Sequence, residues 1–180
     1  LPPALIDGCR EAFKATSARV HAALAQHGIG HTDLHGHRSY GGFHVCFNEV
    51  CQRGQERLDV RTGMDDGPFG DGRLHGEAPW MGFIRQVLGA EAHECFRGVI
   101  DNRPGSLDQD WHADWREWDE EQSGQEARRL TCFIPLVDLD DPACGATQYF
   151  PGSHAQPVDP ARDRAWCTPT PARGDVVVFD

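Results

Sequence analysis

The sequence predicts a mainly β fold, a β sandwich or barrel with helices packed outside it. Two helical patterns come first along the chain, and short β-branched or aromatic runs separated by Pro and Gly follow them. This order does not match the alternating strands and helices of a parallel βαβ sheet. The 180 residues are enough for one domain with a hydrophobic core. We expect a single domain over 1–180, with a helical part over 1–90 and strands over 91–180.

The first helix is predicted over residues 4–28. Its apolar residues recur at steps of three and four, or at sums of these steps, and therefore form one stripe along the helix. The stripe consists of Ile6, Cys9, Phe13, Val20 and Leu24. Pro2 and Pro3 at the start and Gly28 at the end lie where helix boundaries favour these residue types.

A second helix is predicted over residues 78–89, with Pro79 in its first turn and Gly89 past its end. Its inward-facing residues are expected to be Trp80, Phe83, Ile84, Val87 and Leu88. Between the two helices, residues 42–50 ("GFHVCFNEV") are a possible strand. The stretch from Gly63 to Gly72 has the Gly and Asp content of a loop.

Four runs after the second helix predict strands, at residues 94–102, 130–139, 146–150 and 175–179. An acidic segment, residues 116–129, separates the first of these runs from the second. It fits two interpretations, a charged surface connection or a mobile lid over a site.

Composition and charge exclude several classes of partner. The chain has 17 basic and 28 acidic residues and a net charge of −11, so we expect no nucleic-acid partner, because phosphate contacts need basic clusters. No run approaches the roughly 18 apolar residues that span a bilayer, so we expect no membrane partner. The oligomeric state cannot be read from these features.

The seven cysteines are odd in number, scattered, and contain no CxxC pair. This pattern argues against a zinc ribbon or a dithiol redox motif and favours free thiols in a reducing compartment. We therefore expect an intracellular, cytoplasmic location. Since the chain does not begin with Met, an organelle-targeting peptide removed from its N-terminus stays an alternative.

The segment "QDWHADW" (109–115) places His112 and Asp114 two residues apart. On a strand, residues i and i+2 point to the same face, so both side chains would project together. An imidazole and a carboxylate on one face, with a second histidine from elsewhere, form the facial triad of non-haem Fe(II) oxygenases. By itself the three-residue pattern is weak, because an exposed polar strand face produces it more often.

Three longer stretches add specificity: "VIDNRPGSLDQDWHADW" (99–115), "LTCFIPLVDLDDPACGATQYFPGSH" (130–154) and "RGDVVVFD" (173–180). In this order they resemble the phytanoyl-CoA dioxygenase-like family of Fe(II)- and 2-oxoglutarate-dependent oxygenases. The resemblance covers most of the chain and is densest between Val99 and Asp180. It implies a double-stranded β-helix, that is a cupin-like jelly roll, with the N-terminal helices packed outside.

The resemblance also implies roles for individual residues. His112 and Asp114 match the first two iron ligands. Gln109 and Thr147 match positions that contact the co-substrate 2-oxoglutarate, although Gln109 needs a local bend to face the same way as His112. Trp118 matches an aromatic residue that lines the pocket in some relatives. The cofactors implied are Fe(II), 2-oxoglutarate and dioxygen.

Two parts of the family pattern do not occur before Asp180. In relatives, the distal iron histidine and an arginine that binds the far carboxylate of 2-oxoglutarate follow the "GDxxxF" strand. We therefore expect the chain to be an incomplete oxygenase domain that lacks its closing strands and is inactive alone. The alternative is a degenerate relative that no longer binds iron.

The predicted function is hydroxylation of a C–H bond of a small-molecule substrate, with release of succinate and CO2. Two alternatives remain: a catalytically silent jelly roll used for binding or scaffolding, and a metal-dependent hydrolase of barrel fold. Other histidines are interpreted as loop residues, namely His31, His35, His37 and His154. No nucleophile elbow, P-loop or dinucleotide-binding fingerprint occurs in the sequence.

Overall fold

The computed structural model of the chain describes residues 1–26, 39–40, 43–44, 50–54, 56–112, 114, 129–141, 144–153 and 165–180. These residues form two compact units. The helix–sheet unit comprises Ala4–Met81 and His93–Gln109. The C-terminal unit comprises Leu1–Pro3, Gly82–Ala92 and Asp110–Asp180.

The first helix, α1 (Pro3–Gln26), confirms the predicted segment as far as it is described. Its buried residues include Ile6, Cys9 and Phe13, and Thr16 occupies the next position of the same stripe. Val20 and Leu24 are half-buried. The apolar spacing therefore identified the packed face correctly over the first half of the helix.

The helix–sheet unit contains a three-stranded antiparallel sheet in the order β3–β4–β5. The bounds are Val50–Gly54 for β3, Arg57–Val60 for β4 and Val99–Asn102 for β5. A two-residue pair, β1 (Ser39–Tyr40) and β2 (Phe43–His44), precedes it. Strand β5 lies in a predicted run, and β2 lies in the possible strand at 42–50. The central strand β4 was missed, because only Leu58 and Val60 in it are apolar.

Asp59 explains why β4 resembles a polar segment in the sequence. Its carboxylate is buried, with 1% of its surface exposed, and it accepts hydrogen bonds from Nε and Nη2 of Arg61 at 3.1 and 2.7 Å. The guanidinium of Arg61 in turn lies 4.7 Å from the ring centre of Phe96. A charge-assisted pair of this kind allows a carboxylate on a strand that is buried along most of its length.

Helix α1 is joined to the sheet through Asp101 of β5. The hydroxyl of Ser17 donates to Oδ2 of Asp101 at 2.6 Å, and Nε2 of His21 lies 3.2 Å from the same oxygen. Both partners lie on α1, one turn apart. This polar connection adds to the apolar packing of the helix.

The stretch from Gly63 to Gly72, predicted as loop, contains turns and a 3-10 helix at Gly67–Gly70; a second 3-10 helix follows at Gly72–Leu74. Arg97 supports this stretch by donating hydrogen bonds to the carbonyls of Met64 and Phe69. The segment is therefore ordered by specific contacts without forming a strand or an α-helix.

The second helix, α2 (Met81–Leu88), lies within the predicted segment 78–89 but is shorter, because it begins after Pro79 and Trp80, which lie in a turn. Gly89 follows it with φ +99° and donates to the carbonyl of Arg85, as expected for a C-terminal glycine. The predicted inward face was only partly right: Ile84 is buried, but Phe83 and Val87 are 52% and 40% exposed. Phe83 and Val87 are four residues apart and therefore lie on one side of the helix, next to the side that buries Ile84.

The C-terminal unit contains strands β6 (Thr131–Phe133) and β7 (Val177–Phe179), which pair antiparallel with Thr131 opposite Phe179. Both lie in predicted runs but are shorter. Pro135 follows β6 closely, and proline cannot donate to a strand ladder. Of the run 146–150, Tyr149 alone pairs, through one bridge with Cys167.

The described residues thus form a mixed fold of two α-helices and three small antiparallel sheets. The antiparallel strands agree with the predicted class, and the jelly roll stays a prediction. The division into 1–90 and 91–180 within one domain also stays a prediction. Among the helices in the described ranges, none is long and apolar enough to cross a membrane.

Candidate metal centre

His112 and Asp114 lie in a segment without regular secondary structure. Residues 103–112 contain a turn and no helix or strand, and Asp114 lies at a bend. The strand that would have aligned the two side chains is therefore not seen in these residues. The side chains nevertheless approach each other: Nε2 of His112 lies 3.7 Å from Oδ1 of Asp114.

The ring of His112 is oriented by its own main chain. Its Nδ1 lies 2.7 Å from the carbonyl oxygen of Asp110, which can only accept, so Nδ1 carries the proton and donates. The lone pair of the neutral ring is then on Nε2, the atom that faces Asp114. A hydrogen bond from the second ring nitrogen to a carbonyl is the usual support of a metal-binding histidine.

Asp114 presents its two carboxylate oxygens to different partners. Oδ1 faces His112, whereas Oδ2 accepts a hydrogen bond from the hydroxyl of Thr131 at 3.3 Å. The side chains of His112 and Asp114 are 52% and 39% exposed. An imidazole nitrogen and a carboxylate oxygen that are close together and accessible form a donor set suited to a divalent transition metal.

Thr147 and Tyr149 lie in the same unit as the His112–Asp114 pair. Burial raises the pKa of the Tyr149 phenol, the hydrogen bond from Thr147 opposes this shift, and the nearby carboxylate of Asp114 adds to it. Tyr149 is therefore within electrostatic range of Asp114, and Thr147 is exposed beside it.

Trp111, the residue before His112, belongs to a cluster of three aromatic rings. The ring of Trp111 lies 4.4 Å from Phe150 and 6.5 Å from Trp166, between ring centres. Trp111 and Trp166 remain 42% and 41% exposed. The cluster is an accessible apolar surface in the unit that holds the two candidate ligands.

Gln109 and Trp118 are the remaining predicted site residues. Gln109 is exposed and is the last residue of the helix–sheet unit. Trp118 lies outside the described residues, as do most of the acidic segment 116–129 and the four histidines interpreted as loop residues. Their predicted roles stay predictions.

Sequence reasoning missed three contributors to this site. The carbonyl of Asp110 has no sequence signal, because every residue has a carbonyl group. Thr131 looked like an ordinary strand residue, and Tyr149 like a strand-forming aromatic. Within the described ranges, no group of three or more His, Cys, Asp or Glu side chains could hold a metal. Among the described residues, His112 and Asp114 are thus the candidate metal ligands.

Comparison with known proteins gives a similar protein and a family. The ectoine dioxygenase of Bordetella parapertussis is 32% identical over 87 residues, which are 47% of this chain and 28% of that protein. The chain thus spans less than a third of this relative's length. No solved structure matches the chain. The family model for phytanoyl-CoA dioxygenase (PhyH) matches residues 47–180, well over half of the chain. The chain belongs to the phytanoyl-CoA dioxygenase family.

Proposed function

We propose that this chain contributes the iron-binding region of an Fe(II)- and 2-oxoglutarate-dependent dioxygenase. The reaction would convert a substrate C–H bond, dioxygen and 2-oxoglutarate into the hydroxylated substrate, succinate and CO2. One oxygen atom of dioxygen enters the substrate and the other enters succinate. Family membership supports an oxygenase, and the arrangement of His112 and Asp114 supports the metal dependence.

The observation that carries the proposal is the orientation of the His112 ring, which suits metal binding. Its Nδ1 donates to the carbonyl of Asp110, so the lone pair of the neutral ring is on Nε2, which lies 3.7 Å from Oδ1 of Asp114. A histidine on a merely polar surface needs neither this fixed orientation nor a carboxylate beside its free nitrogen. The two atoms are those that a facial triad requires from these residues.

His112 and Asp114 would hold the iron together with a histidine from outside the described residues. When bound, the iron supplies the activation of dioxygen, for which 2-oxoglutarate is the reductant. Thr147 and Gln109 are proposed to contact 2-oxoglutarate through their hydroxyl and amide groups. Trp118 is proposed to line the substrate pocket. The aromatic cluster of Trp111, Phe150 and Trp166 is proposed to keep water away from the site.

Both units are proposed to belong to one oxygenase domain with a jelly-roll core. The family match supports this, because residues 47–180 include segments of both units. The substrate is proposed to be a small molecule. Ectoine is the first compound to test, since it is the substrate named for a relative.

The test uses the full-length protein supplied with Fe(II), 2-oxoglutarate and dioxygen, and measures succinate in the absence of substrate. His112→Ala and Asp114→Ala are each expected to abolish this turnover, because each removes a metal ligand. Two matched substitutions, His93→Ala and Asp140→Ala, remove exposed residues of the same types that are not among the proposed ligands. They should leave succinate production unchanged.

Succinate production at the unaltered rate in either ligand variant would overturn the assignment. If the intact protein binds no divalent metal and makes no succinate, the silent binding module is the better description. If it binds metal but 2-oxoglutarate neither binds nor turns over, a metal-dependent hydrolase is favoured.

A further inference from the structure

We infer that Thr131 is a positioning residue for the metal-binding carboxylate: its hydroxyl holds Oδ2 of Asp114 and leaves Oδ1 alone to bind the metal. This inference rests on the proposed function, because it requires a metal at His112 and Asp114. It goes further in assigning a task to a residue outside the ligand set.

The two oxygens of Asp114 differ in their surroundings. Oδ1 faces Nε2 of His112 at 3.7 Å, whereas Oδ2 accepts from Oγ1 of Thr131 at 3.3 Å. A carboxylate without such a contact can rotate about its last bond and exchange its two oxygens. With Oδ2 hydrogen-bonded, the oxygen left beside the histidine nitrogen is Oδ1.

Thr131 is suited to this task because its backbone is held in place by pairing with a neighbouring strand. It is the first residue of β6 and pairs with Phe179 of β7. The ring of Phe179 lies 4.8 Å from that of Tyr149, between centres, which adds a packed contact to the same pair. A β-branched side chain on a strand also has restricted χ1. Asp114, by contrast, lies at a bend.

The chemical consequence concerns the number of positions left on the metal. A carboxylate that binds through both oxygens occupies one more position than a carboxylate that binds through one. A facial triad must leave room for a bidentate co-substrate and for dioxygen. By engaging Oδ2, Thr131 keeps Asp114 monodentate and preserves that room.

The expected size of the effect follows from the hydrogen-bond length. Substitutions of residues that orient metal ligands typically weaken metal binding by about 10- to 100-fold. A separation of 3.3 Å is at the long end for a hydroxyl donor. We therefore expect an effect near the lower limit, roughly tenfold.

The experiment compares Thr131→Val, which keeps the shape but removes the hydroxyl, with Thr131→Ser, which retains it. Co(II) alone is titrated into the full-length protein as a redox-inert probe, and its dissociation constant is measured by calorimetry. Thr131→Val should bind Co(II) roughly tenfold more weakly, whereas Thr131→Ser should stay within about twofold of the unaltered protein. Thr170→Val, at an exposed threonine of the same unit, is the control.

A second measurement separates positioning from general packing. The visible absorption of bound Co(II) changes in intensity with coordination number, and 2-oxoglutarate affinity can be measured at saturating Co(II). Thr131→Val should change the visible spectrum of bound Co(II) before 2-oxoglutarate is added, because Asp114 can then also bind through Oδ2, and should weaken 2-oxoglutarate binding. Thr131→Ser should change neither.

The outcomes distinguish the two proposals. If the unaltered protein does not bind Co(II), the proposed function fails and this inference fails with it. If the unaltered protein binds Co(II) and Thr131→Val binds it equally well with the same spectrum, the positioning role is wrong while the proposed function stands. Equal losses in Thr131→Val and Thr131→Ser would assign the effect to packing and also overturn the role.

Discussion

The two units differ in how many apolar side chains they bury. Among the described residues, most of the buried apolar side chains belong to the helix–sheet unit: Leu5, Ile6, Cys9, Phe13, Leu58, Val60, Met64 and Ala78. The C-terminal unit contributes Ile84 and Leu139 to that set. Exposed large apolar residues occur in both units, among them Trp111, Val137 and Trp166 in the C-terminal unit and Phe96, Ile100 and Leu107 in the helix–sheet unit.

Most of the buried side chains that stabilise the fold are therefore in one unit, and the candidate metal ligands are in the other. In the helix–sheet unit, side chains are positioned by burial against α1 and the three-stranded sheet. In the C-terminal unit, His112 and Asp114 are positioned by single hydrogen bonds to Asp110 and Thr131. Substitutions in the first unit should therefore change the free energy of unfolding, and substitutions around the pair should mainly change binding.

A matched pair of valines gives the largest expected effect. Val60 is fully buried in β4, whereas Val137 of the C-terminal unit is 44% exposed. Val60→Ala should lower the free energy of unfolding by about 2–3 kcal/mol, because it removes two buried carbon atoms and leaves a cavity. Val137→Ala should change it by less than about 0.5 kcal/mol. Urea denaturation of both variants measures the difference.

Equal effects of the two valine substitutions would contradict the contrast between the units. They would mean that Val137 is covered in solution as fully as Val60. A loss at Val137 larger than at Val60 would place the main core in the C-terminal unit.

A pair of glycines tests the close packing around Asp59. A Cβ at Gly98 would lie 2.6 Å from Oδ1 of Asp59 and 3.3 Å from the carbonyl oxygen of Val60. Asp59 cannot easily move aside, because it is buried and its other oxygen is bound by Arg61. Gly98→Ala should therefore lower the free energy of unfolding by about 1–3 kcal/mol.

The control is Gly82→Ala in α2, where a Cβ would have no neighbour within 4 Å. Alanine is favoured over glycine in a helix, so this change should raise the free energy of unfolding by at most about 1 kcal/mol. Thermal unfolding of both variants should show opposite signs. Destabilisation of similar size in both would indicate that the contacts of Gly98 are not tight.

The parts of the fold that follow from local patterns could be predicted from the sequence. Both helices were located, because apolar spacing and terminal Pro and Gly depend on residues close in the chain. Strand β4 was not found, since Asp59 is tolerated there only through Arg61 and the neighbouring backbone of Gly98. Burial of a carboxylate depends on such pairings, which a pattern of apolar residues does not contain.

The candidate site shows a similar division. His112 and Asp114 could be predicted as candidate metal ligands from residue types in a specific order. Their side chains do lie close together in the structure. The strand expected to carry them is not observed in the described residues, where the hydrogen bond to the carbonyl of Asp110 orients the His112 ring instead. The contribution of Thr131 requires β6 to lie beside Asp114, 17 residues away in the chain. Sequence spacing alone cannot supply that contact.

The smallest expected effect on the free energy of unfolding comes from a thiol group, and thiol reactivity should differ between the units. Cys9 of the helix–sheet unit is buried, whereas Cys167 of the C-terminal unit is exposed. Burial raises the pKa of the Cys9 thiol, and the carboxylate of Asp71 raises it further. Because alkylating reagents attack the thiolate, Cys9 should react much more slowly than Cys167 at mildly alkaline pH. Mass spectrometry of the labelled peptides measures both rates.

The raised pKa of Cys9 also fixes the sign of a pH effect. In the unfolded chain this thiol ionises near pH 8.5, whereas in the folded protein it holds its proton to higher pH. Its contribution to stability is therefore fully present below about pH 8.5 and is lost as the pH rises through the folded pKa. Urea denaturation at increasing pH should show a steeper alkaline decline for the unaltered protein than for Cys9→Ala. A decline of the same slope in both proteins, together with rapid labelling of Cys9, would show that the helix–sheet unit opens as readily as the C-terminal unit.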